Sequence, residues 1–239
     1  MVTKSDLSII MKKTLRGLGV MPIANKVNNF RFLVLKKYCA LFNKNPLEAV
    51  YNDNFFDVQH HENVLGDTPK ALAGIVKNFY NPRSVVDFGC GIGIYLRELE
   101  KLGMDVFGID GSPAASRNLV IDKGRFLTQD CTKEFTLPRR YDGAICFEVA
   151  EHIPTEKSRI LVGNITRASD LVFFTAAPKG QGGHDHINEQ EPKFWLDLFS
   201  EKGYEFLEED TRIIKKELFD KKAIFWLAEN FLVFSKKKS

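Results

Sequence analysis

The chain has 239 residues, 44% hydrophobic and 27% charged, with a formal net charge of +3. That composition excludes a globally disordered chain, suits one α/β domain with an accessory segment, and gives no charge argument for a nucleic-acid partner. No apolar run is long enough to span a bilayer, the N-terminus lacks signal-peptide features, and Cys39, Cys90, Cys131 and Cys146 form no C-x-x-C pair, so a cytoplasmic protein with reduced thiols is expected.

Residues 1–66 read as an N-terminal helical or cap segment. Leu7, Met11, Leu15 and Leu18 repeat at helical spacing beside Lys12, Lys13 and Arg16, and a second apolar stretch runs from Phe30 to Phe42 around Lys36 and Lys37. Two readings stand: a basic amphipathic element that touches a membrane or caps the active site, or a pair of helices packed on the domain. Asn45-Pro46 breaks the pattern, and a polar stretch from Tyr51 to Gly66 follows. Asp67 or Thr68 caps a helix with Pro69 in its first turn, ending at Asn81-Pro82.

From Ser84 strands and helices alternate. The strands are Ser84–Phe88, Asp105–Ile109, a short one near Arg125–Thr128, Gly143–Phe147 and Leu171–Thr175; helices fit Gly93–Lys101, Pro113–Asp122, Thr155–Ala168 and Pro192–Lys202. Such alternation implies a parallel sheet with helices on both faces. Tyr204–Leu207 and Phe231–Phe234 read as two late strands, joined by a charged helical segment and forming an antiparallel hairpin at the sheet edge.

Asp87-Phe88-Gly89-Cys90-Gly91-Ile92-Gly93 ends the first strand in a G-x-G-x-G turn that opens a helix. Dinucleotide sites use G-x-G-x-x-G, and Ile94 stands where their third glycine falls. A carboxylate at Asp87 repels a pyrophosphate and attracts an ammonium. Asp110 closes the second strand and Asp130 lies near the end of the third. Acids at three successive strand ends suit a ligand with an ammonium, a ribose and an adenine. S-adenosylmethionine has all three.

With these residues the chain resembles the class I S-adenosylmethionine-dependent methyltransferases, from about Ser84 onward, so that residues 67–239 are expected to form the methyltransferase domain. The resemblance implies a Rossmann-like seven-stranded sheet, ordered 3-2-1-4-5-7-6 with the seventh strand antiparallel. It implies that Asp110 accepts from the ribose hydroxyls, that Gly89 and Gly91 lie along the methionine and ribose, and that Asp130 and Cys131 flank the adenine. Asp87, Cys90, Gly111, Phe147 and Glu148 complete the implied cofactor set.

The fourth strand runs into Glu148-Val149-Ala150-Glu151-His152, which looks like the E-V-x-E-H element of small-molecule methyltransferases, ubiquinone-type O-methyltransferases included. Three readings stay open. His152 is a general base for a substrate hydroxyl; or Glu148, Glu151 and His152 hold a divalent cation such as Mg²⁺; or Glu151 and His152 merely open the next helix. The loop after the fifth strand, Ala176 to Glu189, combines Gly180, Gly182 and Gly183 with His184 and His186. Three readings again stay open: either histidine is the base, or either is a further metal ligand facing Glu151 and His152, or both sit incidentally in a solvated loop; imidazoles one residue apart point different ways, so one is expected to face inward. His60 and His61 are expected at the surface, in a segment that folds over the cofactor.

The expected reaction is methyl transfer to a hydroxyl, or an amine, of a small molecule, a sugar or a secondary metabolite. A metal-assisted RNA 2′-O-methyltransferase and a non-catalytic cofactor-binding module are the alternatives. Expected partners are the acceptor and, through the basic N-terminus, a membrane surface, with a homodimer left open.

Overall fold

The computed structural model describes residues 51–183 and 185–237, together with Val34. The basic N-terminal stretches read from the sequence lie outside them. Its strands are β1 (Ser84–Phe88), β2 (Asp105–Asp110), β3 (Phe126–Thr128), β4 (Gly143–Phe147), β5 (Leu171–Thr175), β6 (Tyr204–Phe206) and β7 (Leu232–Lys236). Its helices are α1 (Val58–Leu65), α2 (Thr68–Tyr80), α3 (Ile94–Lys101), α4 (Pro113–Arg117), α5 (Ser158–Ala168), α6 (Pro192–Glu201), α7 (Glu208–Asp220) and α8 (Phe225–Asn230).

The strands form one sheet in the order β3-β2-β1-β4-β5-β7-β6, as expected. β1 pairs in parallel with β2 and β4, while β7 runs antiparallel to both β5 and β6. Every residue of β1 and β4 is buried, because helices cover both faces and leave no solvated side. Alternation divides the side chains between two cores. Val86, Phe88, Cys146 and Phe174 pack with Leu161 and Ile165 of α5 and Trp195 and Phe199 of α6. Val85, Val106, Ile145 and Phe173 pack with residues of α2, α3, α7 and α8.

One element differs from expectation. The helix expected over Pro113–Asp122 stops at Arg117. The chain leaves it so that Val120 N–H can donate to the Ile92 carbonyl at 2.9 Å, and Ile121 then packs into the core. The late strands pair antiparallel at the sheet edge as expected, with α7 and α8 as the helical link between them, and β7 enters between β5 and β6. The apolar Leu232–Phe234 suits that interior position, whereas Glu205 of β6 is exposed at the edge.

Parallel pairing places the C-terminal ends of β1, β2 and β4 along one rim. The chain switches there from β1 outward through β2 and β3 to β4 on the other side, which opens a crevice. The segment from Tyr51 to Leu65 lies across it. Phe56 is buried on Ile92, Ile94, Ala114 and Ala115, and Asp57 caps α1 by accepting from His60 N–H at 2.7 Å.

Phe174 is fully buried, with ring centroids 5.2 Å from Trp195 and 5.4 Å from Phe199. Phe174→Ala is expected to lower stability by about 3–5 kcal/mol in chemical denaturation, and Phe219→Ala, at an exposed ring, by under about 0.5 kcal/mol.

Candidate active site

The crevice is a cleft of about 630 Å³. Its lining includes Asp87, Gly89, Gly91, Asp110, Asp130 and Cys131, together with Tyr51, Glu148, His152 and Trp226. Gly89 N–H and Cys90 N–H both donate to the Ile109 carbonyl, at 2.7 and 3.0 Å, so the glycine turn is stitched to β2. Gly89 has φ +81°, and a Cβ there would stand 2.4 Å from Val149 Cγ2; no other residue fits.

Asp110 organises the rim. Its Oδ2 accepts Gly91 N–H at 2.9 Å and its Oδ1 accepts Ser112 N–H at 2.8 Å. Burial raises its pKa, and those two N–H donors pull it back. Ser112 Oγ then donates to the Tyr51 carbonyl at 2.9 Å, tying the overlying segment to the same carboxylate. Asp53 adds a second tie, through Arg117 and Asn118. Asp87 is buried to 3% exposure, and no ion pair reaches it among the described residues. Burial first, and Asp110 second, hold its pKa well above the ordinary carboxylate value.

Asp130 accepts from Thr132 N–H at 2.9 Å and Thr132 Oγ1 at 2.6 Å. Burial pushes the Cys90 and Cys131 thiols up, so both are neutral packing groups. Gly111 lines the cleft beside Asp110, and Phe147 packs on Tyr95, centroids 5.3 Å apart.

These groups fit S-adenosylmethionine. Asp87 lacks a cation, and an ammonium supplies one. Asp110 keeps a lone pair on each oxygen beyond the two N–H bonds, and bare glycine backbone allows close approach. Asp87, Gly89, Gly91 and Asp110 would hold the methionine and ribose, with Asp130 and Cys131 at the adenine end.

On the acceptor side the structure brings together Glu151, His152 and His186, each with one ligand atom within 4.8 Å of the others. Glu151 is fully buried, and neither carboxylate oxygen has a hydrogen-bond partner among the described residues. His186 Nε2 stands 4.0 Å from Glu151 Oε1. Burial, and then the nearby Glu148 charge, raise the Glu151 pKa well above its ordinary value. His152 Nδ1 faces the Asp185 carbonyl at 3.3 Å. The carboxylate of Glu148 is engaged elsewhere, by Asn230 Nδ2 at 3.2 Å and Gln181 Nε2 at 3.3 Å, and Glu148 is outside the trio. His184 lies outside the described residues.

His60 is exposed, but His61 is not a surface residue. It lines the cleft beside Phe55 and Phe56, centroids 5.6 and 6.1 Å away, and burial lowers its pKa. The Asp57 cap fixes the phase of α1 and so turns His61 inward. Sequence reasoning also missed Tyr51, whose ring edge meets His152 at 5.9 Å, and Glu189, which accepts from two loop amides. The Asn52 side chain accepting Asn54 and Phe55 N–H groups is the local turn signal that marks the Tyr51 segment.

A family model described as a methyltransferase domain matches residues 58–175. The chain belongs to the class I S-adenosylmethionine-dependent methyltransferase superfamily. The ubiquinone biosynthesis O-methyltransferase of Colwellia psychrerythraea is 28% identical over 113 residues, 43% of this chain and 45% of that protein. The magnesium-protoporphyrin O-methyltransferase of Synechocystis sp. PCC 6803 is 31% identical over 108 residues, 41% of this chain and 46% of that protein. The chain thus spans about half the length of the curated relatives it matches. A crystal structure of magnesium protoporphyrin IX methyltransferase from Synechocystis PCC 6803 with bound SAH shares the fold, with a TM-score of 0.53 at 18% identity over 72% of this chain and 83% of that one. No helix among the described residues is long and apolar enough to cross a membrane.

Two expectations follow from the rim. Asp110→Ala should weaken S-adenosylhomocysteine binding by about 10- to 100-fold in calorimetry, since a hydrogen bond to a charged group is worth about 1.5–3 kcal/mol. For Asp87 the folded state keeps its proton where the unfolded chain, near its ordinary value of 3.8, has released it. Ligand-free stability therefore declines as pH rises from that value until Asp87 ionises in the fold. Asp87→Asn should flatten that decline and raise the melting temperature at neutral pH.

Proposed function

We propose that this chain transfers the methyl group of S-adenosylmethionine to a hydroxyl oxygen of a small molecule, held where Glu151, His152 and His186 converge. The single observation that carries the reading is Glu151: a fully buried carboxylate without a hydrogen-bond partner among the described residues, facing two imidazoles at the edge of the cofactor cleft. Such a group is costly unless it is kept neutral or meets a cation. The names of the two curated relatives, both O-methyltransferases, support oxygen as the acceptor atom.

S-adenosylmethionine supplies a sulfonium-activated methyl group, so the protein's work is alignment, exclusion of water and management of one proton. Asp87 and Asp110 would hold the cofactor's methionine and ribose. Tyr51, Phe55 and Trp226 wall the acceptor end of the cleft with aromatic surface. Glu151, His152 and His186 form an oxygen- and nitrogen-donor set that fits Mg²⁺, Mn²⁺ or Zn²⁺. Bound there, such an ion would acidify an acceptor hydroxyl.

A second reading has His152 alone as the base. It is favoured by its place: His152 lines the open cleft, whereas Glu151 and His186 sit behind it. The Asp185 carbonyl facing Nδ1 favours the tautomer that carries its proton there. An RNA 2′-O-methyltransferase has less support, because among the described residues lining the cleft Lys133 is the one Lys or Arg.

Turnover of S-adenosylmethionine with hydroxylated small molecules, with and without chelator, decides between these. The cation reading expects Mn²⁺-dependent turnover and its loss by at least tenfold in Glu151→Gln. Turnover untouched by chelator but lost in His152→Ala establishes the base reading. No turnover with any acceptor while the cofactor binds tightly would contradict enzymatic function.

A further inference from the structure

The loop from Lys179 to Glu189 carries three glycines, and the cofactor cleft does not account for them. Its hydrogen bonds converge on Glu189. The Glu189 side chain is 2% exposed; its Oε2 accepts Gly180 N–H at 2.7 Å and its Oε1 accepts Gly182 N–H at 2.6 Å. The same Oε1 stands 3.1 Å from His186 Nδ1. An ionised carboxylate only accepts, so the Nδ1 atom must carry the proton, and Nε2 is left with its lone pair. That Nε2 is the atom 4.0 Å from Glu151 Oε1.

Gly183 completes the arrangement from the other side. A Cβ at Gly183 would stand 2.2 Å from His186 Nε2 and 2.4 Å from Cε1, so the bare backbone is what admits the ring. The following residues are tied down as well. Ile187 N–H and Asn188 N–H both donate to the Glu151 carbonyl at 2.9 Å, and Asn188 Nδ2 donates to the Ala150 carbonyl at 3.1 Å. The ring of His186 is thus bounded by Glu189, by Gly183 and by the turn that holds Glu151.

We propose that Glu189 is the positioning residue of the acceptor site: it fixes the tautomer and orientation of His186 and aims the Nε2 lone pair at Glu151 across the glycine loop. The inference rests on the cation reading above for its purpose, but on the hydrogen bonds alone for its geometry. Carboxylates that hold a ligating imidazole in this way raise its basicity, and losing one typically weakens metal binding by about 10- to 100-fold. The same loop reaches further. Gln181 donates to Glu148 and accepts from Asn230 at 2.9 Å, so one carboxylate sets both the histidine and the polar link to the end of β4.

The test uses the full chain, Mn²⁺ titration followed by electron paramagnetic resonance, and ¹⁵N resonance of labelled histidines. Glu189→Gln keeps the size and an acceptor for the loop amides but removes the charge, and Gly183→Ala displaces the ring without touching Glu189. S-adenosylhomocysteine affinity within twofold of wild type shows that each variant is folded. The expected result is a wild-type His186 protonated on Nδ1, a mixed tautomer in Glu189→Gln, and Mn²⁺ affinity about 10- to 100-fold lower in both variants. A purely structural role predicts the opposite: tautomer and Mn²⁺ affinity within twofold of wild type in Glu189→Gln, which overturns the proposal. If wild-type protein binds no Mn²⁺, the cation reading falls, and the tautomer alone decides the role of Glu189. Should Glu189→Gln fail to bind S-adenosylhomocysteine, the wild-type tautomer and Gly183→Ala decide it: His186 protonated on Nε2, or an unchanged Mn²⁺ affinity in Gly183→Ala, overturns it.

Discussion

One carboxylate at the end of β2 holds the cofactor cleft together. Asp110 accepts the amide of Gly91 from the turn after β1 and the amide of Ser112 from the turn that opens α4. Ser112 in turn grips the Tyr51 carbonyl, so three stretches of chain far apart in sequence meet at one side chain. Each bond is charge-assisted or partly buried and therefore stronger than a solvated one. Without it the glycine turn still has the Gly89 and Cys90 amides on the Ile109 carbonyl, and the segment over the cleft still has the Asp53 tie.

The acceptor side obeys a different constraint, the cost of burying charge. Glu151 and Glu189 are both withdrawn from water, but they are treated oppositely. Glu189 accepts from two loop amides; the Glu151 carboxylate makes no hydrogen bond among the described residues and faces imidazoles instead. A fold has no reason to desolvate a carboxylate this way for packing alone, since an apolar side chain of similar volume would do better. The contrast separates a group that organises the loop from one that no donor satisfies among the described residues. Glu148, at φ +53° with its carboxylate tied to Gln181 and Asn230, joins the two sides of the cleft.

What was legible in the sequence was local. Val85 to Gly93 announced a buried strand, a turn that only glycines can make and an acid beside it, because strand length and φ > 0 are properties of a few consecutive residues. Asp110 was legible for the same reason, as the acid ending the next apolar run. The sheet order came from family resemblance, not from pairing rules. What was not legible depended on contacts across the fold. The helix after Pro113 stopped early to give Val120 N–H to Ile92, a bond between residues 28 apart in number. His61 and Tyr51 entered the cleft because Asn52, Asp53 and Asp57 make turns, ties and caps that only the folded chain completes. Glu189, the last residue of the polar loop, gave no local sign that it is the acceptor for two glycine amides.

The account stands or falls on which way a bound cofactor faces. A crystal structure with S-adenosylhomocysteine is the direct measurement. It should show the ribose hydroxyls on Asp110, the amino group near Asp87, and the sulfur turned toward the pocket edged by His152. Density for the nucleoside elsewhere, or a sulfur turned away from His152 and buried against the glycine turn, would contradict it.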